Sequence, residues 1–89
     1  MRAVITVVGK DTVGILAKVS SKCSEHRINV IEVTQSIVQD MFAIIMMVDI
    51  DRSDIPFAQL VDELDALGKQ NALVIHCMHE DIFSAMHTI

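Results

Sequence analysis

The chemically versatile side chains here are two cysteines, Cys23 and Cys77, and four histidines, His26, His76, His79 and His87. Cys77, His79 and Glu80 come nearest to a metal-ligand set. If a strand ends near Cys77, the other two fall in a turn and can approach the thiol, a soft-metal arrangement. His76 and His79 cannot share a strand face at their spacing, because side chains alternate. The weight of the reading is against metal. Both cysteines sit in apolar stretches without a Cys-x-x-Cys pair and read as buried, reduced thiols. His26 and His87 are expected to face solvent, His26 favourably so at a helix C-terminus. No Gly-x-x-x-x-Gly-Lys-Ser/Thr phosphate loop, Gly-x-Ser-x-Gly elbow or paired nucleophile and base is present. The chain is expected to be no enzyme and to need no cofactor.

One segment invites a small ligand. Gly9-Lys10-Asp11-Thr12-Val13-Gly14 joins a β-branched stretch to an amphipathic one. The N–H groups and positive dipole end of a helix beginning there suit a carboxylate. Asp11 suits an ammonium group, Gly14 permits close approach, and the Asn29 amide offers further hydrogen bonds. Asp11 or Thr12 can equally well cap the helix.

The elements that must position these residues follow from periodicity. Residues 2–8 read as a strand, residues 13–26 as a helix with Ile15, Leu16, Val19 and Cys23 on one side. Residues 29–38 make a second strand with Ile31, Val33 and Ile37 toward the core, and Gln39-Asp40 turns into a third strand, 41–50. That third strand is apolar on both faces. A second helix spans 55–69, with Phe57, Leu60, Val61, Leu64 and Leu67 in helical register and Gly68 as its C-terminal cap. A fourth strand, 72–78, and a short helix over 80–87 close the chain. The order predicts an α+β, ferredoxin-like βαββαβ sandwich, with a four-stranded antiparallel sheet and two helices on one face.

The stretch from Ile5 to Val19, with its Asp11-Thr12-Val13-Gly14 turn, resembles the opening of an ACT domain, in which a strand ends in an Asp-x-x-Gly turn before an Ile/Leu-rich helix. His26-Arg27-Ile28-Asn29-Val30-Ile31 resembles that family's entry into its second strand. The similarity covers residues 2–79. Val13 stands where many members have proline, so this loop is less rigid. The resemblance implies a small standalone module that binds an amino acid or similar small metabolite, with ligand-binding residues Asp11, Thr12, Val13, Gly14, Ile15 and Asn29. It also places Val30 and Ile31 in the pocket, contributed by a neighbouring subunit's second strand. A regulated protein partner is implied as well. The rival reading is a module for oligomerisation or protein interaction without a ligand.

Composition bounds the rest. The chain has 89 residues, 52% apolar, with seven Lys+Arg against twelve Asp+Glu for a net charge of −5. One domain over residues 1–89 is expected. Scattered cations and three Phe argue against nucleic acid. The longest apolar run is too short for a membrane helix. A cytoplasmic location is expected. Two helices cover one sheet face, so the second apolar face of strand three predicts a homodimer or higher assembly.

Overall fold

The computed structural model describes residues 1–10 and 14–86, with Val38 described by its backbone only. The chain runs β1 (Arg2–Gly9), α1 (Ile15–Glu25), β2 (Asn29–Val38), β3 (Met41–Asp49), α2 (Phe57–Gln70), β4 (Val74–His79) and α3 (Glu80–Met86). The expected βαββαβ order with a C-terminal helix is therefore present. The strands form one antiparallel sheet in the order β2-β3-β1-β4.

The registers decide which residues point where. Ile5 pairs with Met46 on one side and Cys77 on the other, and Val7 pairs with Ile44 and Ile75. These share the face covered by α1 and α2, because directly opposed residues point the same way. From α1, Ile15, Val19 and Cys23 recur every fourth position and close the core with Leu60 and Leu64 of α2. In β3 the core set is Ile44, Met46 and Val48. Met41, Ala43, Ile45 and Met47 accordingly point to the opposite face. Part of that face is covered: α3 packs on β1 and β4, and Arg2 Nε reaches Glu80 Oε2 at 2.6 Å. Val4 is 0% exposed there although it lies outside the main core.

Strand β2 departs from simple alternation. A bulge between Val30 and Glu32 shifts its register against β3. Val30 packs against the core, while Ile31, Val33 and Ile37, expected inside, are exposed. Val33 and Ile37 keep the helix-facing side, opposite Met46 and Phe42, but on the edge strand of the sheet, and Ile31 sits in the bulge.

The helix exits also differ from expectation. In α1 the N–H of Arg27 donates to Ser24 O and that of Ile28 to Cys23 O, which is a Schellman closure. Arg27 takes the left-handed residue, φ 61°. In α2, Leu73 N–H donates to Gly68 O and Ala72 has φ 56°. Gly68 is thus inside the last turn and not the cap. A Cβ there would stand 2.8 Å from Leu73 O and 3.2 Å from Ile75 N. Glycine is needed at this position for close approach of β4.

Candidate functional site

The turn between β1 and α1 is described at its two ends. Gly14 is the N-cap of α1, at φ 77° and ψ −9°, with no side-chain capping hydrogen bond. Its carbonyl accepts the Lys18 N–H at 3.1 Å. A Cβ on Gly14 would meet nothing within 4 Å. The glycine serves the left-handed backbone, and no packing within the chain requires it. Asp11, Thr12 and Val13 lie outside the described residues. Ile15 is buried in the core, so only its backbone is available to a ligand. At the start of the turn, Lys10 and Asp40 form a long 4.0 Å ion pair between exposed side chains.

The other expected residues are far from that turn within the chain. Gly9 pairs with Phe42, whereas Arg2 pairs with Asp49, which pairs with Asn29. Gly14 and Asn29 thus belong to opposite ends of an eight-residue strand, a span of about 23 Å at roughly 3.3 Å per residue. Asn29 is exposed, Val30 is half-buried, and Ile31 at the bulge is exposed. The fold brings together Asn29, Val30 and Ile31, and separately Gly14 and Ile15, but does not join the two groups in one copy.

The structure also contains a charged cluster that the sequence reading missed. His26 caps the end of α1 and is largely enclosed, with 14% of its side chain exposed. The expectation of a solvent-facing ring is therefore corrected. Its Nδ1 lies 2.9 Å from Asp54 Oδ1 and its Nε2 lies 3.1 Å from Glu63 Oε1. Lys22 Nζ sits 3.2 Å from Glu63 Oε1, and Gln59 Nε2 donates to Glu63 Oε2 at 3.0 Å. The Asp54 N–H also donates to the His26 carbonyl at 3.1 Å. The cluster ties the end of α1 to α2 and to the segment before it. The hydrogen bond to Asp54, then that to Glu63, raises the pKa of His26. Hydrogen bonds from Gln59, His26 and Lys22 hold Glu63 down at about 2. The only signal in the sequence was a histidine at a helix C-terminus.

The thiols are poor nucleophiles. Burial pushes Cys23 up to about 11, and burial together with the neighbouring Cys23 pushes Cys77 up to about 12. Cys77 packs against the core, His79 Nδ1 accepts the Asp81 N–H, and Glu80 pairs with Arg2. These three do not converge, and no group of three metal-ligating side chains forms among the described residues. No helix among them is long and apolar enough to cross a membrane.

A concavity of about 530 Å³ is lined by Arg27, Asn29, Asp49, Asp51 and Arg52. It lies at the Asn29 end of the sheet. A smaller one of about 250 Å³ opens between Met1, Ile55, Phe57 and Leu60.

Comparison with known proteins agrees with this architecture. The ACT domain family model matches residues 2–78. A UPF0237 protein of Listeria innocua is 44% identical over 89 residues, covering 100% of both chains. A UPF0237 protein of Bifidobacterium longum is 42% identical over 88 residues, covering 99% of this chain and 98% of its own. Among solved structures, an ACT domain protein from Streptococcus pneumoniae superposes with a TM-score of 0.80 at 30% identity, covering 100% of this chain and 97% of that one. With the family model matched over nearly the whole chain and element order and sheet topology in place, the chain belongs to the ACT domain family, whose members are regulatory ligand-binding modules.

Proposed function

We propose that the chain, as a single ACT domain over residues 1–89, is a non-catalytic regulatory module that binds an amino acid between two copies of itself. One copy supplies Asp11, Thr12, Val13, Gly14 and the Ile15 backbone. The other supplies Asn29, Val30 and Ile31. The observation that carries this reading is the separation of the two groups at opposite ends of the sheet, with β2 an unpaired edge between them. A two-fold pairing of β2 with its counterpart runs the second strand in reverse. The partner's Asn29 end then lies beside the Val38 end of the first copy, which is the end that carries the Gly14 turn. Exposed Ile31, Val33 and Ile37 supply apolar area for such a contact. A regulatory output requires different ligand affinity in two assembly states.

A thermal-shift screen of the twenty amino acids, with light scattering in parallel, tests this. One or two amino acids should raise the melting temperature in a dose-dependent way, and the particle should exceed 9.9 kDa. Asp11→Ala should remove the shift while the protein stays folded. A flat screen with an assembled particle would instead favour an interaction module without a ligand, and a monomer at micromolar concentration would sink both.

A further inference from the structure

Seven lysines and arginines stand against twelve carboxylates in this chain, and most of the cations are matched. Arg2 meets Glu80, Lys10 meets Asp40, Lys22 meets Glu63 and Lys69 meets Asp65, while Lys18 donates to Asn71 Oδ1 at 2.8 Å. The remaining cations are Arg27 and Arg52. Neither has a side-chain hydrogen bond or ion pair among the described residues, and both line the same cavity of about 530 Å³. Asp49 and Asp51 share that wall, but both are engaged. Asp51 holds the Met1 ammonium, and Asp49 Oδ1 accepts the Asp51 N–H at 2.9 Å. The Met1 ammonium offsets Asp51, but Asp49 keeps its charge, so two guanidinium groups stand against one unoffset carboxylate and the excess at the cavity is positive, in a protein whose net charge is −5.

Arg27 adds an independent observation. It occupies the left-handed position of a Schellman closure, φ 61°, where glycine carries no steric penalty. A long cationic residue is held there at a conformational cost, lining the cavity and with no side-chain partner among the described residues.

We propose that this cavity is a binding site for the oxyanion group, carboxylate or phosphate, of a small metabolite. Arg27 and Arg52 supply the charge and Asn29 a neutral amide. Guanidinium groups suit such a ligand because their forked N–H donors match two oxygens at once. The volume lies within the roughly 300–1,000 Å³ of small-molecule sites. The carboxylates in the wall disfavour a polyanion and select a compact ligand. The lining comes from one chain, at the sheet end opposite its own Gly14; it shares Asn29 with the amino-acid site proposed above, while Arg27 and Arg52 belong to this cavity alone.

The test is a nitrogen-15 NMR titration of the full chain with sodium phosphate and, separately, sodium succinate, with ionic strength held constant by sodium chloride. Saturable shifts centred on the amides of Arg27, Asn29 and Arg52 are expected, and the tighter of the two anions identifies the oxyanion class. Arg27→Gly, which keeps the helix exit favourable, and Arg52→Gln should each weaken binding by about tenfold, as loss of a charge-assisted contact predicts. Lys18→Gln, elsewhere on the surface, should leave it unchanged. Shifts that stay linear with both anions, or affinity retained within about twofold in folded Arg27→Gly and Arg52→Gln against that tenfold expectation, would overturn the proposal.

Discussion

Helices α1 and α2 leave by the same backbone route, each with a non-glycine residue in the left-handed conformation and an N–H returning to the carbonyl three residues inside the helix end. At α2 the exit is steric and apolar. Ala72 carries the turn, Gly68 lets Leu73 O and the Ile75 backbone lie against the helix, and Leu73 is buried. At α1 the same geometry carries charge. His26 spans Asp54 and Glu63, and Arg27 faces the cavity. Local hydrogen bonding sets the direction of an exit; the side chains placed on it decide whether it packs or binds.

The contrast is broken most strongly at Gly68. Gly68→Ala gains helix propensity, but its Cβ meets backbone that cannot move aside. We expect a loss of about 1–3 kcal/mol in urea unfolding, the usual cost of overpacking. A neutral or stabilising result would show that β4 can shift away from α2.

The shared strain is measured at the next residue of each motif. Arg27→Gly and Ala72→Gly should each stabilise by about 0.5–1 kcal/mol, since glycine relieves a positive φ at some cost in unfolded-chain entropy. Thermal unfolding should show gains of a few degrees in both. Equal gains with anion binding lost only in Arg27→Gly would separate the two exits cleanly.

The subtlest difference is in pH. His26 has a folded pKa above its ordinary 6.5, so its contribution is complete below that value and is lost as pH rises through the raised one. Glu63 is held at about 2 against an ordinary 4.5, so its contribution is complete above 4.5 and is lost as pH falls through about 2. The α1 exit is fully engaged between these ordinary values, 4.5 and 6.5. His26→Asn should lower the melting temperature most near about pH 5.5, with the gap narrowing towards about pH 8.5. A gap independent of pH would mean that the ring acts by packing alone. The gap between Gly68→Ala and the natural chain should show no such trend.

Much of this architecture was legible because it rests on local pattern. The β-branched run of β1, the doubly apolar β3 and the four-residue spacing of Ile15, Val19 and Cys23 each point to one element and one face. What escaped depends on distant partners. The bulge that leaves Ile31 out of register exists only in the pairing of β2 with β3, and the edge position that exposes Val33 and Ile37 is a property of the sheet order, not of their alternation. His26 looked solvent-facing because Asp54 and Glu63 lie 28 and 37 residues away in the sequence. Gly68 looked like a cap because the residue that takes the left-handed conformation, Ala72, carries no glycine signal. Of the candidate site, the resemblance supplied the turn and the second-strand residues. Their placement at opposite ends of the sheet required the strand registers, as did the cavity assembled from two connections, α1 to β2 and β3 to α2.

Cys23 is 0% exposed, and burial pushes its thiol up to about 11. A thiol reagent can attack it only when α1 lifts from the sheet, and then it meets an ordinary cysteine. The rate of labelling at this one sulfur therefore counts openings of the core. Any ligand that tightens the fold would register as a slower clock, even before its binding site is known.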